Sequence, residues 1–243
     1  MRNRFVIFSV ILFGLIFILS KSTYDNKVAL MDENNLDIQN SLHQEKLLNV
    51  YNNWQNTWDD ITLTEGALHS KEIEQINLLL TPVLESDEFY QVNPLSCFFT
   101  SYYSEPDELN LDNFLWYFPY SEVDNELEEA LDELKEHSNW PFGDIDNIDE
   151  LPVPIHRYNG ELIRTFLKTY MYFDESTFTK LDEAIYLEST DAYYNYTSDF
   201  GPGTFICVDG NVSDHVVVLE SKSAILTVVN IDDKYFIKSY ESK

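Results

Sequence analysis

The sequence predicts an α+β fold: a helical N-terminal two-thirds packed on a C-terminal antiparallel β-meander of about four strands. Three observations predict it. In several stretches between about residues 42 and 187 apolar residues recur at mostly three- and four-residue steps, the spacing of helices with one buried face. After "YYNYTSDFGPG" the period shortens to two, in "TFICVDG", "DHVVVLES", "SAILTVVNI" and "KYFIKSY". Short polar turns at Asp209-Gly210-Asn211, Ser221-Lys222-Ser223 and Asp232-Asp233 separate these runs. Strands joined so closely must be antiparallel neighbours. The chain carries a formal charge of −28, yet 44% of its residues are hydrophobic and 15% aromatic. Charge alone predicts disorder only where hydrophobicity is low, so a packed domain is expected.

In order along the chain, "MRNR" precedes the uncharged run "FVIFSVILFGLIFIL", Phe5–Leu19. Basic residues before an apolar run have the layout of an export signal. Fifteen residues rise about 22 Å as a helix, short of a hydrocarbon core of roughly 30 Å. Residues 1–22 are therefore read as a signal peptide or an N-terminal membrane anchor. Their basic flank places the rest of the chain outside the cytoplasm. Residues 23–40 are polar and aperiodic, a flexible stalk, and residues 41–243 are expected to form a single extracytoplasmic α+β domain.

Within that domain Leu42, Leu47, Leu48, Val50, Tyr51, Trp54 and Trp58 lie on one helical face. Ile73, Ile76, Leu79 and Leu80 repeat the pattern, with Ser70 as N-cap and Pro82 as terminator. "EFYQVNPLSCFFTSYYSEP" has no clean period, and its prolines confine any strand to a short edge piece. "SEPDELNLDNFLWYFP" starts a helix that buries Leu109, Phe114, Leu115 and Phe118. "SEVDNELEEALDELKEHSNW" starts the next, burying Val123, Leu127, Ala130, Leu131 and Leu134. "PFGDIDNIDELPVPIHRY" reads as the main loop. A helix with Leu162, Ile163, Phe166, Leu167 and Tyr170 inward follows near Asn159, and a shorter one covers about Glu175 to Leu187.

Beyond residue 22 the chain has 43 acidic and 12 basic residues, a formal charge of −31. Such a body repels phosphate backbones and anionic headgroups. That excludes nucleic acid and any membrane contact other than the N-terminal segment. The same charge steers a basic peptide or protein toward the surface.

Candidate motifs resolve as follows. Asp199-Phe200-Gly201 matches a kinase magnesium motif, but the glycine-rich loop, the strand lysine and the His-Arg-Asp loop are missing from the sequence. The triplet reads as a turn with Phe200 as a buried anchor. Asp144, Asp146, Asp149 and Glu150 form an acidic loop with hard oxygens, but Ile148 and Asp149 break the EF-hand pattern, so a solvated loop is favoured over a metal site. His43, His69, His137, His156 and His215 fit no metalloprotease spacing. His156 beside Arg157, expected to open a helix, is the most site-like of them and could bind an anion there, but a structural histidine is favoured. His215 is expected in a strand facing solvent.

Cys97 and Cys207 read either as a bridge closing a loop of about 110 residues or as buried free thiols. The aromatic runs "FLWYFPY" and "DAYYNY" read as core or as stacking platforms for sugars or peptides. Asn195 and Asn211 head glycosylation sequons. No cofactor or metal is called for by any of these motifs, and no catalytic residue stands out. The function expected is a non-enzymatic extracytoplasmic binding or sensing module with an acidic surface. The alternatives are a carboxylate-dependent hydrolase of cell-wall glycans and an acidic inhibitor or immunity protein.

Through "NPLSCFFTSYY", "FLWYFP", "IHRYNGELIRTFLKTY" and "DAYYNYTSDFG" the chain resembles uncharacterised anchored or secreted proteins of low-GC Gram-positive bacteria. Its closing meander is similar to the cystatin-like and nuclear-transport-factor-like α+β group. That resemblance implies a curved sheet wrapped round a helix and a binding role, and it carries over no site residues.

Overall fold

The computed structural model describes residues 52, 54–59, 63, 65–85, 90–119, 121, 127–172, 184–196 and 203–243. All lie in one compact unit, Leu47–Lys243. The segments expected to serve as export signal and stalk, the helix-face residues Leu42, Leu47, Leu48, Val50 and Tyr51, Val123 and the Asp199-Phe200-Gly201 triplet lie outside the described residues. No helix among the described residues is long and apolar enough to cross a membrane.

The fold is α+β, but the expected division into a helical two-thirds and a four-stranded meander is wrong on both counts. The main sheet has five strands. Four come from the C-terminus: β7 (Asp209–Ser213), β8 (Val216–Glu220), β9 (Ala224–Ile231) and β10 (Lys234–Ser242). The fifth, β1 (Gly66–Ala67), pairs antiparallel with β7, Gly66 opposite Val212. The order is β1-β7-β8-β9-β10. The expected Asp209-Gly210-Asn211 turn is part of β7; the chain instead reverses at Asp214-His215, where Asp214 has φ +51°.

The helical part is also smaller than its periodicity promises. The helices are α1 (Ser70–Leu79), α2 (Leu111–Leu115), α3 (Leu127–Glu136) and α4 (Gly160–Tyr170), with helical residues 54–59 before them. Between them lie a ribbon of β2 (Val83–Glu85) with β3 (Tyr90–Val92) and a three-stranded sheet. The latter orders β4 (Ile155–Asn159), β6 (Ala192–Tyr196) and β5 (Ile185–Leu187) as β4-β6-β5. Of the helix expected from about Glu175 to Leu187, Ile185–Leu187 is strand β5 and residues 175–183 lie outside the described residues, and "IHRYN", expected in a loop, is strand β4. "SEPDELNLDNFLWYFP" folds as a 3-10 turn, Pro106–Glu108, followed by the single turn and a half of α2. Runs this dense in aromatics satisfy three- and two-residue periods at once, so propensity did not decide between them.

Asparagines start three of these elements. Asn93 accepts from Leu95 N–H at the 3-10 helix Pro94–Phe99, Asn110 from Asn113 N–H at α2, and Asn159 from Leu162 N–H at α4. For α1 the expected cap Ser70 is already helical; His69 precedes it, and the Glu72 carboxylate accepts the His69 N–H.

The main core lies between the inner face of the five-stranded sheet and the helical segments. Val212, Val217, Leu219, Leu226, Val228 and Ile237 supply the sheet side. Phe98 is wholly buried at its centre, 5.1 Å from Phe114 and 5.8 Å from Phe166 in near-parallel stacking. Trp54 and Trp58, one helical turn apart, close the end of β10. Trp54 Nε1 donates to Tyr235 O at 2.9 Å, and Trp58 stacks on the Tyr235 ring at 5.0 Å. Gly203 passes so close to the 3-10 helix that a Cβ there would sit 2.5 Å from the carbonyl carbon of Phe99.

Candidate binding surface

The register of the three-stranded sheet sorts its side chains onto two faces. Tyr158 and Tyr193 turn to the main core, and Tyr158 OH donates to Leu115 O at 2.9 Å. Ile185, Leu187, Ala192 and Tyr194 face the other way and pack with Ala130 and Leu134 of α3 into a second, smaller core. Leu127, Trp140 and Ile155 pack at its rim. The second core takes Ala130 and Leu134 of α3, Leu131 is buried beside them, and all five carboxylates of the helix are exposed.

This lobe concentrates the acidity. Residues 127–150 carry nine carboxylates, Glu128, Glu129, Asp132, Glu133, Glu136, Asp144, Asp146, Asp149 and Glu150, and every one is exposed. One lysine opposes them. Lys135 is pinned between Asp132 at 3.2 Å and Asp144 at 3.4 Å, and donates to Ile145 O at 3.1 Å. The hydrogen bond with Asp132 is the largest influence raising its pKa. Its charge is spent in fastening the acidic loop to α3. The loop is ordered further by Asn147 Oδ1, which accepts from Asp149 N–H at 2.7 Å, and by the 3-10 turn Ile148–Glu150.

Beside the carboxylates runs a ladder of half-buried aromatics. Trp140 and Phe142 stand at 5.1 Å and 77°, and Phe142 and Tyr196 at 5.2 Å and 76°. Trp140 Nε1 donates to Gly143 O at 2.7 Å, across a turn in which Gly143 has φ +70°. A side chain there would be strained, so glycine holds the loop in this shape. Burial, and then Asp112, raise the Tyr196 pKa, which keeps its phenol protonated.

A second polar cluster joins α4 to the β5–β6 turn. Arg164 grips Asp191 with two bonds of 2.7 and 2.8 Å, Tyr186 OH donates to Asp191 at 2.8 Å, and Gly160 N–H donates to Asp191 O. The Arg164 hydrogen bond is the main reason the Asp191 pKa is lowered. All of its bonds are internal, so its role is to hold the turn, where Asp191 has φ +44°.

The residues singled out from sequence are dispersed. His156 and Arg157 sit in strand β4, not at a helix start; Asn159 caps the helix instead. The two point to opposite faces: His156 lies opposite Asn195, half-buried, with its pKa lowered by burial, while Arg157 Nη2 donates to Thr190 O. His215 is in the β7–β8 turn rather than a strand, where its carbonyl accepts from Asn230 N–H. His69 precedes α1, His137 follows α3, and His43 lies outside the described residues. Cys97 and Cys207 are both free and buried. Burial pushes the Cys97 thiol far up and Cys207 to about 11. Asn195 is buried with its amide donating to Asp112, whereas Asn211 is exposed on β7. In "DAYYNY" Ala192, Tyr193, Tyr194 and Asn195 are buried in strand β6, whereas Tyr196 is half-buried on the aromatic ladder. No group of three His, Cys, Asp or Glu suited to a metal occurs among the described residues.

Two other surface features were not foreseen. A shallow groove of about 370 Å³ runs along α1, lined by Ser70, Ile73, Glu74, Asn77, Leu78 and Thr81. Asn77 clasps the backbone of Cys207 with bonds of 2.8 and 2.9 Å, and the neighbouring Leu78 and Ile206 are 70% and 66% exposed. The aromatic ladder was missed as well, although Trp140-Pro-Phe142 inside an acidic loop is a signal that could have found it. Comparison with family models, with curated proteins and with solved structures finds no match for this chain.

Proposed function

We propose that this chain is a non-enzymatic extracytoplasmic module that binds a basic peptide or protein through the lobe formed by α3 and residues 137–151. One observation carries the reading: nine exposed carboxylates against a single, internally paired lysine across residues 127–150. Surface charge of one sign raises encounter rates with oppositely charged partners and rejects like-charged ones. An inhibitor or immunity role is the same chemistry with a basic enzyme as the partner. The export segment is read as before, with the lobe outside the cytoplasm.

The test uses deca-lysine as a probe, titrated by calorimetry against the full-length chain. Glu128, Glu129, Asp146, Asp149 and Glu150 are neutralised together in one variant. A control variant neutralises an equal number of carboxylates elsewhere, including Asp209, Asp232 and Asp233. The lobe variant should lose most of the affinity, the control little, and binding should weaken as salt rises. Equal losses in the two variants would mean that net charge, not this lobe, attracts the probe. Protease added to intact cells should digest the lobe; full protection would refute the location.

A further inference from the structure

We infer that the Trp140–Phe142–Tyr196 ladder is the apolar seat for an arginine side chain of the basic partner. The inference rests on the acidic-lobe reading and adds to it where on the lobe a side chain inserts, and which one. The ladder itself is the observation. Its three aromatics are half-buried and meet at nearly perpendicular angles around 5 Å, forming corners rather than a flat stack. Phe142 lies on the loop, beyond the residues that form or rim the second core. It touches only the rings of Trp140 and Tyr196 among the aromatics described. A loop phenylalanine held this way offers apolar surface that the fold's own core does not take up.

Charge decides the occupant. The ladder stands within the stretch that carries Asp144, Asp146, Asp149 and Glu150, so an anionic or phosphorylated partner is repelled and a cationic one attracted. Aromatic faces attract cations, and arginine is the cation most often found over them. Its guanidinium is planar and weakly hydrated, so it can lie flat on one ring while its five donors reach carboxylates around the rim. Lysine lacks the plane and holds its water more tightly. The Tyr196 hydroxyl, kept protonated, adds a neutral polar group at one end of the ladder.

The probe is a fluorescein-labelled peptide of four Arg-Gly repeats, with a Lys-Gly peptide of equal charge for comparison. Both are titrated by anisotropy into the full-length chain. Three variants are used: Phe142→Ala, Phe142→Leu, and Asp146→Asn with Asp149→Asn and Glu150→Gln. The arginine peptide should bind more tightly than the lysine peptide. Phe142→Ala should weaken the arginine peptide by about 5- to 30-fold, from the usual strength of a partly desolvated cation–π contact. Phe142→Leu keeps apolar volume without the ring and should weaken it nearly as much, while the lysine peptide changes little. If the triple variant lowers affinity and both Phe142 variants do not, the ladder inference is overturned and the acidic-lobe reading stands. If the triple variant also binds as the parent does, both fall. Equal affinity for the two peptides in the parent would remove the preference for arginine.

Discussion

Replacing Glu136 by lysine should make the protein more stable, an unusual direction for a point substitution. Glu136 is the last residue of α3 and is exposed. Its carboxylate sits at the negative end of the helix dipole, where an anion is disfavoured by about 0.3–1 kcal/mol and a cation favoured by a similar amount. It also lies one turn after Asp132, a like-charge spacing that costs about 0.2–0.5 kcal/mol and becomes attractive once the sign is reversed. Asp132 already pairs with Lys135 at 3.2 Å, so its attraction for a second cation is shared, and that part should be taken at the low end. Together the change should stabilise by about 1 kcal/mol. For a domain of this size that raises Tm by roughly 2–4 °C.

Urea unfolding of Glu136→Lys and the parent, followed by far-ultraviolet circular dichroism, reads the difference directly. The salt dependence makes the test specific. In 10 mM salt the Debye length is about 30 Å and the gain should be complete; in 1 M salt it is about 3 Å and the gain should nearly vanish. A loss of stability, or a gain that persists unchanged in 1 M salt, would refute the electrostatic account. Glu136 would then be making a specific contact. Confirmation would mean that the chain carries this charge against its own stability.

Phe98→Ala removes the ring at the centre of the aromatic core and should cost about 3–5 kcal/mol in urea unfolding; a loss below 1 kcal/mol would show that Phe114 and Phe166 collapse into the space. Gly203→Ala places a Cβ 2.5 Å from the Phe99 carbonyl carbon, a backbone atom, so the segment must shift and Tm should fall by several degrees. An unchanged melt would mean the segment 203–208 moves freely over the 3-10 helix. Asp191→Asn keeps a residue that tolerates positive φ but breaks the Arg164 pair. The Asp191 pKa is lowered, so its stabilisation is present above the ordinary carboxylate range and is lost as pH falls through the folded value. The variant should be weaker than the parent by about 0.5–1 kcal/mol at pH 7, discounted for the partial exposure of the pair. The gap should close on acidification; a gap of the same size at pH 2.5 would contradict it.

Where one period dominates, the sequence was legible. Ile163, Phe166, Leu167 and Tyr170 recur at helical spacing and are buried on α4, as are Ala130, Leu131 and Leu134 on α3. The two-residue alternation of β8 and β9 buries Val217, Leu219, Ala224, Leu226 and Val228 as expected. Illegible were the elements that tertiary pairing creates. β1 is two residues long and pairs with a strand some 145 positions away, a contact with no local signature. β4, β5 and β6 hold Tyr158, Tyr186 and Tyr193, and tyrosine fits either element, so only the second sheet's packing between two cores decides them. The nine carboxylates could be counted in the sequence, but not the fate of their lysine: its bond to Ile145 O and its pairing with Asp144 depend on the loop folding back over α3.

That fold-back also explains why the acidity gathers on the second core. A core of Ala130, Leu134, Ile185, Leu187, Ala192 and Tyr194 engages α3 through two residues, and with Leu131 buried beside them the five carboxylates of the helix stay on its exposed side. Helix α4, by contrast, buries Gly160, Ile163, Phe166, Leu167 and Tyr170 in its eleven residues, and carries one acidic residue, Glu161. Substitutions on the exposed side of α3 can alter surface charge without repacking a core, whereas those at the five buried positions of α4 cannot. A helix this lightly engaged leaves room for a strongly negative face. The single lysine is then enough to hold the loop, because it crosses from Asp132 to Asp144 and to a backbone carbonyl with one side chain. Lys135→Met keeps an unbranched apolar stem over the same surface but removes all three of these contacts, and so should release residues 141–147 while leaving α3 in place. Hydrogen exchange reads this locally: faster exchange confined to the loop fits the argument, and faster exchange across α3 as well would show that the lysine supports the helix itself.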